Sequence, residues 1–148
     1  MIIQDIGYKL MDGKIMSVQP QITVELPQEP SLRDLIQIAQ QYFIKEDSIS
    51  KQLALEKIWD AFEKLRTYYS TDKKTSVARL IDEISNGDAS LSERLNEEFL
   101  ELGKIGNNYQ IRHFETGKIP ISDIRLKEYW YQRCLSLINL SIKFIKDK

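Results

Sequence analysis

The chain has 148 residues with 21 basic and 22 acidic side chains and a formal net charge of −1. That balance excludes a general nucleic-acid coat or a polybasic membrane binder, which need a surplus of Lys and Arg, but leaves room for a confined basic pocket. One histidine excludes any site built on two histidines of one chain, and one cysteine, Cys134, excludes an intramolecular disulfide and a multi-cysteine zinc site.

A chain of about 150 residues buries roughly 70% of its unfolded surface, which suits one domain. Apolar residues make up 42%, enough for a core without metal or disulfides. The start MIIQDIGYKLMDGKIM lacks the basic-then-apolar order of a signal peptide, and Asp5 interrupts its apolar part. No apolar run approaches the ~18 residues of a membrane span. The expectation is a soluble, cytoplasmic protein without metal or cofactor.

Residues 1–30 differ from the rest. Lys14-Ile15-Met16-Ser17-Val18 is β-prone behind the turn signal Asp12-Gly13, and Ile22–Leu26 alternates apolar and polar. Pro20, Pro27 and Pro30 argue against a helix there. This part reads as an extended arm, a small strand pair, or the tail of an upstream module.

From Ser31 the apolar period becomes 3.6. Ser31 with Asp34 resembles a capping box ahead of Leu32, Leu35, Ile36, Ala39, Tyr42 and Phe43. A second helix is predicted from about Ser50 to Tyr69, with Ala54, Ile58, Ala61, Phe62, Leu65 and Tyr69 inward, and Thr71–Lys74 breaks it. A third runs from about Thr75 to Ser85 and stops at Asn86-Gly87, residues tolerant of positive φ. Ser90 and Glu93 form a capping box for a fourth, with Leu91, Leu95, Phe99 and Leu102 inward. GKIGNNYQIRHFETGKIP has no settled period. Ser122 then caps a long final helix with Leu126, Tyr129, Trp130, Cys134, Leu137, Ile138 and Ile145 on an apolar face. The predicted fold is all-α: a bundle of about five helices over residues 31–148, behind a short extended N-terminal arm over residues 1–30.

Most catalytic signatures are missing. Gly103-Lys104-Ile105-Gly106 lacks P-loop spacing, and there is no H-E-x-x-H, G-x-S-x-G or cysteine cluster. Glu97, Glu98 and Glu101 lack the Glu-x-x-His partners of a helical di-metal site and read as solvated surface. Cys134 reads as buried filler. The aromatics Trp59, Tyr68, Tyr69, Tyr129, Trp130 and Tyr131 sit at helical spacing and read as core or interface. Three consecutive aromatics, Tyr129 to Tyr131, cannot all face one core, so at least one meets a neighbouring element or a partner.

The chemistry concentrates in Asn107–Lys118. This stretch holds His113, Arg112, Lys118, Glu115 and the amides Asn107, Asn108 and Gln110, and with Lys104 its charge is locally positive. A guanidinium clamps phosphate oxygens and a histidine moves protons near neutrality. With the ribose 2′-hydroxyl as internal nucleophile, these suffice for metal-free RNA cleavage. The structural alternative pairs Arg112 with Glu115 at i,i+3 and leaves His113 to cap or pack.

Three segments carry a resemblance: ALEKIWDAFEKLRTYY (54–69), LNEEFLELGKIGNNYQIRHFETGKI (95–119) and KEYWYQRCLSLINLSI (127–142). Together they resemble the C-terminal helical domain of bacterial proteins related to the abortive-infection and HEPN-like families, with IRHFETGK the most specific part. The resemblance implies an α-helical bundle that dimerises and acts as a metal-independent ribonuclease in bacterial antiviral defence, often behind a separate N-terminal module. His113 matches the motif histidine and Asn108 the polar residue after the motif arginine. The arginine itself would fall at Gly106, Asn107 or Asn108; Arg112 is displaced to the immediate neighbour of the histidine. The expected site is therefore His113 and Arg112 as catalytic pair, with Asn107, Asn108, Glu115 and Lys118 binding RNA. The alternatives are a non-catalytic dimerisation, interaction or RNA-sensing domain in which IRHFETGK is structural, and a bundle that binds a partner through Tyr129–Tyr131.

Overall fold

The computed structural model describes residues 8–11, 14–17 and 26–145. Five α-helices follow a short hairpin: α1 (Pro30–Phe43), α2 (Ser48–Arg66), α3 (Lys73–Ser85), α4 (Ala89–Asn108) and α5 (Ile124–Phe144). The all-α bundle is as predicted. In the hairpin, β1 (Tyr8–Met11) pairs antiparallel with β2 (Lys14–Ser17), Tyr8 opposite Ser17 and Met11 opposite Lys14. The strand expected at Lys14 is present and finds its partner in a segment the period had not marked. The turn signal Asp12-Gly13, and Ile22–Leu26 up to its last residue, lie outside the described residues; Leu26 is exposed outside any strand.

Every helix among the described residues starts on a carboxylate, which corrects the predicted caps. Glu29 accepts the Leu32 N–H at 2.6 Å, Asp47 that of Ser50 at 2.8 Å and Asp72 that of Thr75 at 3.3 Å. Asp88 accepts the Leu91 N–H at 3.0 Å and Asp123 that of Arg125 at 2.8 Å. An anionic oxygen satisfies an orphan amide and complements the positive end of the helix dipole, so it displaces a neighbouring serine from the role. Ser31 donates its hydroxyl to Glu29 instead. Pro30 begins α1 as its first helical residue, where a missing N–H costs nothing, and does not block it. At the other end of α3, Asn86 takes φ 47° as the predicted stop.

Helix α2 is the centre of the bundle. Ala54, Leu55, Ile58, Trp59, Ala61, Phe62 and Leu65 are all fully buried on it, a wider face than the predicted stripe. It packs on α1, α3 and α5. It reaches α4 through long side chains laid over two glycines: a Cβ on Gly106 would stand 2.5 Å from Trp59 Nε1, and one on Gly103 2.9 Å from Arg66 Nη1. Phe62 also stacks on Phe99 of α4 at 6.0 Å between ring centres. Three residues predicted on apolar faces are exposed: Leu91 at 42%, Leu126 at 50% and Tyr129 at 53%. Leu91 and Leu126 lie in the first turns of α4 and α5.

The aromatic triplet divides as its succession demands. Tyr131 is buried and stacks on Phe43 at 3.9 Å, Trp130 is half-buried, and Tyr129 is exposed. Cys134 is fully buried filler. Glu97 pairs with Arg94 and Glu98 with Arg133, and no metal-competent cluster occurs among the described residues.

Candidate functional site

The stretch without a period begins inside a helix. α4 runs on to Asn108, and the segment after it folds back on the α4 C-terminus. Tyr109 donates its N–H to Ile105 O at 2.9 Å, Ile119 its N–H to Asn108 O at 3.0 Å, and Gln110 its N–H to Ile119 O at 2.7 Å. Lys118 Nζ donates to Gly106 O at 3.0 Å. The bonds to Ile105, Gly106 and Asn108 satisfy carbonyls that a helix end leaves open, and the ammonium also sits favourably at the negative end of the dipole. Gly117, at φ 78°, allows the turn. Ile111 is fully buried and pins the loop to the core.

The loop is then tied to one stripe of α2. Gln52, Glu56 and Asp60, spaced four residues apart, share a helix face. Gln52 Nε2 donates to Ile111 O at 2.5 Å. His113 Nδ1 lies 3.0 Å from Glu56 Oε2. Arg112 donates to Asp60 Oδ1 from Nη2 at 2.5 Å and from Nε at 3.1 Å. Because the loop is not helical, the two adjacent side chains do not diverge; both reach the same face, each onto its own carboxylate.

Glu115 is the loop's inner anchor. Its Oε1 accepts the Arg112 backbone N–H at 2.8 Å and its Oε2 pairs with Lys118. Burial alone would raise its carboxyl, but the Lys118 ammonium and the Arg112 N–H outweigh that and hold it below the ordinary range. The expected i,i+3 pairing of Arg112 with Glu115 is present only as a long contact, 4.0 Å from Nη1; Asp60 is the main partner.

Of the predicted site residues, Arg112, His113, Glu115 and Lys118 are thus gathered in one network. Asn107 and Asn108 are exposed in the last turn of α4, and of the two only the Asn108 carbonyl joins the loop. Exposure separates the pair: the His113 side chain is 69% exposed and that of Arg112 23%. Glu56, with only 10% of its side chain exposed, turns its carboxylate to the histidine.

Sequence reasoning missed Gln52, Glu56 and Asp60, which matched the solvated side of an amphipathic helix. The available signal was a polar row at four-residue spacing, Gln52, Glu56 and Asp60, running beside the apolar stripe of α2. Its inclusion changes the electrostatics. Lys104, Arg112 and Lys118 against Glu115 alone give a positive locale, but Glu56 and Asp60 bring the charges to balance.

Comparison with protein-family models, with curated proteins and with solved structures finds no match to this chain. No helix among the described residues is long and apolar enough to cross a membrane.

Proposed function

We propose that this chain is a non-catalytic helical interaction module in which IRHFETGK is a structural staple that closes the α4–α5 connection onto α2. The observation that carries this reading is the Arg112–Asp60 ion pair. A guanidinium already held by two hydrogen bonds to a carboxylate has lost most of its attraction for a phosphate, and the balanced charge around it offers an anion no net field. Buried Ile111 and the ties to Gln52 and Asp60 give the stretch a folding role. In this reading the module acts in a reducing compartment, consistent with its one buried cysteine, and serves a larger assembly.

The test compares wild type with Arg112→Ala and His113→Ala. Both variants should lower the melting temperature, while wild type neither binds nor cleaves single-stranded or structured RNA. Metal-independent cleavage by wild type would remove the reading.

One observation favours a second reading, the HEPN-like, defence-associated ribonuclease acting as a dimer. With its proton on Nδ1, His113 donates to Glu56 and presents Nε2 on an exposed ring, the arrangement of a carboxylate-oriented general base. Nε2 would take the proton of a 2′-hydroxyl as that oxygen attacks the adjacent phosphate; the P–O5′ bond breaks to leave a 2′,3′-cyclic phosphate, the departing 5′-oxygen takes a proton from the imidazolium or from water, and Lys118 or a displaced Arg112 would steady the charge. Cleavage in the presence of a chelator, lost in both His113→Ala and Glu56→Gln, would establish it.

A further inference from the structure

We propose that the junction of α1, α2 and α5 binds a phosphate dianion, as the free ion or the end of a phosphomonoester, between Lys51, Lys127 and Ser48. The site shares no residue with the α4–α5 loop network and does not depend on the interaction-module reading.

Lysine is almost never fully buried unless its ammonium is paired. Here two are buried: Lys51 of α2 is 5% exposed and Lys127 of α5 8%. Neither has a carboxylate partner among the described residues. Lys51 Nζ donates to Phe43 O, at the C-terminus of α1, at 2.6 Å and lies 4.2 Å from the centre of the Phe43 ring. Lys127 Nζ reaches only the Ser48 hydroxyl, at 3.4 Å. A carbonyl, a helix end and an aromatic face each attract a cation, but they carry partial charge and neutralise neither ammonium. By contrast, Arg112, Lys118, Arg125 and Arg133 each meet a carboxylate.

The two ammoniums belong to one place. Ser48 and Lys51 stand one turn apart on α2, and Lys127 and Tyr131 one turn apart on α5, so each pair shares a helix face. Two contacts join these faces. Lys127 meets Ser48, and the Phe43 ring lies against both Lys51 and Tyr131, stacking on the latter at 3.9 Å. Ser48 is exposed, so the cluster opens to solvent at its hydroxyl.

Donors and charge select the ligand. Each ammonium has three N–H groups, and the two hydrogen bonds occupy one on each. The remaining donors suit a guest that only accepts. Two positive charges match a dianion, whereas a carboxylate or a phosphodiester leaves one of them uncompensated. A phosphate monoester carries nearly two negative charges near neutrality and three acceptor oxygens. Ser48 also opens α2, where its own amide and that of Ile49 have no intrahelical acceptor and the dipole favours an anion. Asp47, the N-cap beside it, is turned to Ser50, whose N–H and hydroxyl it accepts at 2.8 Å each. Ile44 and Ile49 follow Phe43 and Ser48 in the chain and are both exposed, apolar surface for an organic group on the phosphate.

The test is an NMR titration of the isotope-labelled full chain at neutral pH and constant ionic strength. Inorganic phosphate and phenyl phosphate are added separately. Saturable shifts at Ser48, Ile49, Lys51 and Lys127 with a Kd of about 1 mM or below are expected. Tighter binding of phenyl phosphate assigns the phosphomonoester; equal or weaker binding assigns the free ion. Lys127→Met should weaken binding about tenfold or more. Ser48→Asp alters an exposed first-turn position that favours acids, so it should fold. It sets a carboxylate beside Lys127, and should abolish binding and raise the melting temperature without phosphate. Absence of saturation with either compound overturns the proposal, as does wild-type affinity in Lys127→Met or Ser48→Asp. Shifts confined to Arg112–Lys118 also overturn it, because they place the ion on the loop. The RNA assays read that loop alone, so cleavage would remove the interaction-module reading without touching this site.

Discussion

The Arg112 guanidinium and the Asp60 carboxylate stand 52 residues apart in the chain and 2.5 Å apart in space. This contact joins the α4–α5 loop to the central helix and decides what Arg112 is free to do. Asp60→Ala should destabilise the protein by about 1–2 kcal/mol, since a half-buried guanidinium loses its main acceptor. Urea unfolding of Asp60→Ala, Arg112→Ala and the double variant would give the coupling. The double variant should cost less than the two single changes together, and strict additivity would count against the pair.

His113 should matter more to stability than its exposure suggests. Truncating a surface side chain ordinarily shifts stability by no more than ~0.5 kcal/mol. Here it would strip Glu56, a carboxylate with 10% of its side chain exposed, of its hydrogen-bond partner. His113→Ala should therefore cost about 1 kcal/mol or more, and His113→Ala/Glu56→Leu should recover part of it. Thermal melts at neutral pH provide the comparison; no recovery would mean that Glu56 is adequately solvated.

The two glycines of α4 should respond oppositely to alanine. In Gly106→Ala the new methyl would stand 2.5 Å from the rigid, buried Trp59 indole, and α2 or α4 must shift, at about 1–3 kcal/mol. In Gly103→Ala the neighbour is the flexible end of Arg66, at 2.9 Å. That side chain can move aside, and alanine gains up to about 1 kcal/mol in helix propensity. Melting temperatures should fall for the first and hold or rise for the second.

Acid should loosen the starts of α1, α2, α3 and α5 together. Hydrogen bonds from Arg125 hold the Asp123 carboxyl at about 2, below its ordinary 3.8. Bonds from Ser31, Ser50 and Thr75 likewise lower Glu29, Asp47 and Asp72. A carboxyl depressed on folding contributes stability that is fully present above its unfolded value and is lost as the pH falls through its folded value. These caps should leave stability level above about pH 5, and it should decline between about pH 4 and 2. Asp123→Asn keeps a capping oxygen without the charge, and its melting temperature should fall less steeply over that range than wild type does.

Cys134 should be chemically silent in the native state. Burial, reinforced by the Glu63 charge, pushes its thiol well above the ordinary range, so almost no thiolate forms at neutral pH. A thiol reagent should label it only at the rate of unfolding. Fast labelling of the folded protein would contradict its placement.

The residues show unevenly how much was legible. The helical stripes through Ile36, Ile58, Leu80, Phe99 and Ile138 were readable because apolar period is a local property. The caps were not, because a serine and an aspartate side by side compete for the same amide, and charge and geometry settle which wins. α4 was cut short at Gly103 because glycine signals a stop locally; here the two glycines admit Trp59 and Arg66 from α2.

By itself the sequence determined an all-α bundle, its approximate helix spans, and the gathering of its polar chemistry into Asn107–Lys118. Those follow from periodicity and composition, which short-range sterics and burial dictate. Only the tertiary structure decided that Glu56 and Asp60 face that stretch, 57 and 52 residues away from their partners, and turn a positive locale into a balanced one. Which charges meet across such distances depends on how whole helices pack, and no local pattern carries that information.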